Sequence, residues 1–131
     1  AGEGGQVSIP ADLVTYLQAD VALDALIDGR VHPQRIPPDP AFPLVVYRRI
    51  STPELHVSAY VEPRFQFDCW AETDTGADAV ANALRDALEG FHGAMGATHV
   101  HAMVLNRIDD YDEDVARWRV ILDARLMYRD V

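Results

Sequence analysis

Residues 115–129, VARWRVILDARLMYR, alternate in chemistry along their whole length. Trp118, Val120, Leu122, Ala124, Leu126 and Tyr128 fall on one face of an extended chain. Arg117, Arg119, Ile121, Asp123, Arg125, Met127 and Arg129 fall on the other. A period of two is the signature of a strand. One apolar face and one mostly polar face predict a sheet covered on a single side. The preceding stretch, 98–107 (THVHAMVLNR), reads as a second strand. The acidic run Asp109, Asp110, Tyr111, Asp112, Glu113, Asp114 reads as the turn between them, so the pair forms a hairpin.

Further elements follow from the same logic. Residues 64–71 read as a strand with Phe65, Phe67 and Cys69 on one face and Gln66, Asp68 and Trp70 on the other. Residues 42–50 are a strand built on Leu44, Val45, Val46 and Tyr47, with Arg48 and Arg49 at its exit. Between them lies a hairpin region punctuated by Pro53 and Pro63, in which Leu55, Val57 and Ala59 alternate. Between 73 and 90 the period changes. Thr75 with Asp78 resembles a capping box, Ala77, Val80, Ala81, Leu84 and Leu88 form one helical face, and Gly90 is the stop. Gly93 and Gly96 mark a loop. Near the start, Pro10 opens a helix whose apolar stripe is Leu13, Val14, Leu17, Val21 and Leu26. Asp20 is placed to cap a second short segment, so this element is one kinked helix or two, ended by Gly29. Residues 30–40, RVHPQRIPPDP, hold four prolines and read as a stiff extended loop, suited to contacts with another molecule. The expected fold is α+β: an antiparallel sheet of about four strands with two helices packed on one face. Residues 1–9 are expected to be a flexible tail, and 10–131 a single domain.

Composition narrows the function. A chain of 131 residues, 49% hydrophobic and 24% charged, suits one globular domain. No apolar run approaches the roughly 20 residues that span a bilayer. The glycine-rich start has neither a basic nor an apolar region, so no signal peptide is expected there. The single cysteine, Cys69, precludes an internal disulfide and fits a reducing cytosol. It reads as a small buried hydrophobe in step with Phe65 and Phe67. The net charge of −10 argues against dedicated DNA binding. It suits a wall that DNA passes without adhering.

Chemistry-bearing constellations are sparse. His99 and His101 alternate on a strand and share a face, but no motif completes a zinc shell around them. They read as a polar strand face or a subunit contact. The acidic run 109–114 lacks the glycine and terminal glutamate of a calcium loop. Asp68, inside a strand, is expected to pair with a strand arginine. The chain has no nucleophile elbow and no phosphate-binding glycine loop. No cofactor, metal or catalytic residue is expected. The outer arginines Arg117, Arg119, Arg125 and Arg129, with Arg30, His32 and Arg35 of the proline-rich loop, are the candidate contact residues toward neighbouring subunits or a tube.

The order of these pieces resembles the tail-completion, or tail-terminator, proteins of long-tailed phages and gene transfer agents. The resemblance covers roughly residues 11–130. It is carried by LIDGRVHP (26–33), FPLVVY (42–47), RIS (49–51), FDCWA (67–71), the alanine-rich helix with Ala77, Ala81 and Leu84, and the closing Tyr128 and Arg129. It implies a structural virion protein, assembled in the bacterial cytoplasm, that forms a hexameric ring. It further implies that the ring caps the tail tube, ends its polymerisation and joins the head connector, with DNA passing through the lumen. The implied partners are further copies of the chain, the tail tube protein and a head–tail connector or adaptor protein, with no membrane and no catalytic residues. Three other readings compete: a head–tail connector or neck adaptor, a small hydrolase using Asp68, His99 or His101, and a dimeric ligand-binding module. A partner at the portal side, a pocket where those side chains converge, or an enclosed apolar pocket at a dimer face would favour each in turn.

Overall fold

The computed structural model describes residues 9–51 and 60–129. In chain order the elements are α1 (Ile9–Gln18), α2 (Val21–Ile27), β1 (Val31–Pro33), β2 (Leu44–Ser51), β3 (Tyr60–Val61), β4 (Arg64–Ala71), α3 (Asp74–Leu88), β5 (His92–Met95), β6 (Thr98–Asp112) and β7 (Arg117–Arg129). The sheet order is β1-β2-β4-β7-β6-β5, and β3 pairs with the far end of β7. β1 runs parallel to β2, and every other pairing is antiparallel. The expected sheet of about four antiparallel strands with two helices is therefore corrected. Among the described residues the fold is mostly sheet: seven strands in a curled mixed sheet, with three helices.

The extra strands have physical causes. β1 lies inside the proline-rich loop, at the sheet edge, where the missing N–H of Pro33 removes no inner ladder bond. β5 forms where a loop was expected. It lies on the opposite edge, and Gly96, at φ +61, makes the tight turn into β6. The acidic run is also corrected, because Asp109–Asp112 belong to β6 and the turn moves on to residues 113–116. A strand can hold these carboxylates because arginines face them: Arg107 binds Asp109 and Arg119 binds Asp110. A register shift between Val104 and Asn106 inserts Leu105 as an extra residue. Beyond it, Arg107, Asp109 and Tyr111 oppose Leu122, Val120 and Trp118, whereas Ile108 and Asp110 oppose Ile121 and Arg119. The hairpin of residues 98–107 with the last strand is present, with β6 longer than expected.

All three helices pack on one face. Leu13, Leu17, Leu23, Ile27, Val80, Leu84 and Leu88 meet Phe65, Phe67, Leu122 and Leu126 in one continuous core. Each such side chain contributes about 1.5–3 kcal/mol on burial. The first helical stripe needs correction: Val21 is 85% exposed and Leu26 is 37% exposed. The chain breaks at Asp20, whose Oδ1 accepts from the Leu23 N–H at 3.0 Å, and the break resets the helical phase. Two helices result, and Leu23 and Ile27 take the inward positions. The cap of α3 is Thr73 and not Thr75. Its Oγ1 accepts from the Gly76 N–H at 3.0 Å, and a Cβ on residue 76 would stand only 2.9 Å from that oxygen.

The opposite face is not bare, contrary to the one-sided cover expected. Leu44, Val46 and Trp70 form a second small core under Ile36 of the proline-rich loop, Phe42, which precedes β2 instead of opening it, and Val115. The stiff loop thus serves as a lid over one end of the outer face. The alternation of Leu55, Val57 and Ala59, and residues 1–8 of the expected tail of residues 1–9, lie outside the described residues, whereas Ile9 opens α1 and is buried.

Candidate assembly surface

The outer face carries a charged lattice set by strand register. Asp68 of β4 is 3% exposed. Arg48 Nη2 donates to its Oδ2 at 2.8 Å, Gln66 Nε2 donates to its Oδ1 at 3.0 Å, and Arg119 Nη1 stands 3.8 Å away. This is the strand-arginine pairing expected for Asp68. Arg119 bridges on to Asp110 and lies over the Trp70 ring. Further along, Arg64 Nη2 donates to Asp123 Oδ2 at 3.3 Å, and Arg125 Nη1 lies 3.6 Å from Glu62. The lattice alternates in sign because strands of alternating charge lie side by side, so each buried carboxylate oxygen of Asp68 finds a donor.

The candidate contact residues divide into two groups. Arg117 covers the Phe42 ring and reaches Glu72, Arg119 and Arg125 hold carboxylates of their own chain, and Arg30 Nε donates to the Pro43 carbonyl at 2.9 Å. These side chains brace the subunit. His32 is half-buried on the edge strand β1. Arg35 and Arg129 are exposed, with no carboxylate partner among the described residues. The structure does not bring all seven together: Arg30, His32 and Arg35 belong to the β1 edge, whereas Arg125 and Arg129 lie at the far end of β7.

The groups a hydrolase would use also stay apart. Asp68 registers with Ile121 and His101 with Met127, six positions along β7, roughly 20 Å. Cys69 is fully buried, and burial foremost, with Asp68 beside it, pushes its thiol far above the ordinary range. Sequence reasoning missed one feature here, the pairing of α3 to the hairpin. Arg107 Nη1 donates to Asn82 Oδ1 at 3.2 Å, and the same guanidinium binds Asp78 and Asp109. The Leu105 bulge turns Arg107 toward the helix, and no local signal in the sequence marks that bulge. Beside this anchor a hollow of about 390 Å³ is lined by Asp74, Ala77, Tyr111, Trp118 and Arg119. No helix among the described residues is long and apolar enough to cross a membrane.

The described sheet is curled, with its helices on one face and an ion-paired lattice on the other. The chain belongs to the family of the tail completion protein gp17, whose model matches residues 11–129. It is a phage-type tail structural protein, and its place is the virion. Among solved structures it is similar to a chain of the virion of a native gene transfer agent particle. That match has a TM-score of 0.69 and 19% identity, and covers 95% of this chain and 99% of the other. No curated protein matches.

Proposed function

We propose that six copies of this chain close into a ring that caps the tail tube, stops its polymerisation and joins it to the head connector. The observation that carries the reading is a tail-completion domain whose sheet remains open at its edges. On that side β5 covers residues 98–101 of β6, Gly90 and Phe91 bond Ala102, and the Glu89 carboxylate takes the Val104 N–H, so among the described residues the stretch from Leu105 to Asp112 has a backbone neighbour on the β7 side alone. An open edge of this length invites pairing, and a head-to-tail contact that closes on itself satisfies it in a ring. The exposed Arg35, at the β1 edge, and Arg129, at the far end of β7, supply cations at two separate places for carboxylates of neighbours, the acidic hairpin tip Asp112, Glu113 and Asp114 among them. Six copies at −10 each would carry −60, a charge that keeps DNA mobile in the lumen.

The test is twofold. Native mass measurement of the purified chain is expected to show a closed oligomer, alone or on addition of the tail tube protein. Particles lacking the chain are expected to carry tails of uncontrolled length detached from filled heads. Normal tails joined to heads in its absence would refute the reading, and a ring with a neutral or basic inner rim would refute the role of the charge.

A further inference from the structure

The outer face at the β5 edge carries a histidine cluster beside Arg129, and the proposed ring gives the histidines themselves no part. His92 stands opposite His101 in the β5–β6 ladder, and His99 lies diagonally across. All three rings are exposed. The His92 ring meets His99 at a centroid distance of 4.5 Å and His101 at 5.2 Å, both edge-on. The Nε2 atoms of His92 and His99 face each other at 3.4 Å. The contact is a hydrogen bond between the two rings; two nitrogens bound to one tetrahedral zinc at roughly 2.0–2.1 Å stand about 3.3 Å apart, so the separation of this pair is that of a chelate once the shared proton is displaced. The rings border a hollow of about 330 Å³ shared with Tyr60, Met127 and Arg129.

We propose that His92 and His99 form a binding site for a divalent first-row transition ion of the zinc, nickel or copper type. Donor chemistry selects the class. Imidazole suits these ions, whereas calcium and magnesium need oxygen ligands, and among the described residues no carboxylate lines the hollow. Arg129 adds a positive charge, which disfavours ions held by charge alone and leaves nitrogen coordination as the source of affinity. Among the described residues no set of three or more His, Cys, Asp or Glu side chains converges on one point. The site is therefore an open two-nitrogen chelate whose remaining positions go to water or to an incoming ligand. His101 packs on the His92 ring and holds it in place. The pairing arises only because β5 is a strand, which sets His92 beside residues seven and nine positions later in the chain.

Titration of the untagged chain with zinc chloride against a chromogenic chelator tests this. Saturable binding is expected, with His92→Ala and His99→Ala each weakening it by about tenfold or more, and His32→Ala, on the opposite edge, leaving it unchanged. All three variants replace side chains outside the core, and circular dichroism checks that they remain folded. No saturable binding, or wild-type affinity in either the His92→Ala or the His99→Ala variant, would mean an adventitious ion only and would overturn the proposal.

Discussion

Cys69 and Asp68 are neighbours in β4 with opposite surroundings, because consecutive strand residues face opposite sides of a sheet. Cys69 points into the helical core, so its thiol stays protonated while the protein is folded. Its folded pKa is raised, so its contribution to stability is complete below the unfolded value of about 8.5 and falls as pH rises above it. A thiol reagent at about pH 8 is expected to leave the native protein unlabelled and to label it fully in denaturant; rapid native labelling would contradict the burial. Asp68 points outward into the arginine lattice. Asp68→Ala leaves Arg48 and Arg119 facing one another without their shared carboxylate, and is expected to lower stability by about 1–3 kcal/mol in urea unfolding. Asp68→Asn, which keeps an acceptor, is expected to lose less.

Among the elements, α3 is fastened twice. Its inner face inserts Val80, Ala81, Leu84 and Leu88 into the core, so Leu84→Ala should cost about 2–5 kcal/mol by the same measurement. Its N-terminal half is tied to β6 by Arg107, through Asp78 and Asn82. That link is on the surface, so Arg107→Ala is expected to cost only about 1 kcal/mol at neutral pH. The hydrogen bond from Arg107 holds the Asp109 carboxyl below the ordinary range. A lowered carboxyl pKa stabilises the fold above the unfolded value of about 4 and stops doing so as pH falls through the folded one. The gap between wild type and Arg107→Ala should therefore narrow on acidification below about pH 4; a gap that stays constant would show that Arg107 acts through packing alone.

At the scale of the whole molecule, most cations are already committed within the chain, and carboxylates without one include the hairpin tip, Asp112, Glu113 and Asp114. The double variant Arg35→Glu with Arg129→Glu should unfold within about 0.5 kcal/mol of the wild type, since neither side chain is packed. It should lower the oligomeric fraction in native mass spectra. Rings that persist unchanged would place the seam elsewhere on the surface. The amino-acid order alone determined side-chain parity and helical phase: the two faces of β4 and β7, the buried face of α3, the inert Cys69 and the pairing of Asp68 with a strand arginine were all legible from period and residue type. Family membership was legible too, from short motifs in a fixed order. Tertiary structure alone decided which short segments became strands. β1 and β5 have three and four residues and hold their shape through bonds to a neighbour, a partner that no local pattern names. It alone placed the Leu105 bulge and His92 beside His99, and it chose two helices over one kinked helix at the Asp20 cap that the sequence had marked. A period written in the chain says which way a side chain points, whereas what it meets there depends on a strand that folds in from elsewhere in the sequence.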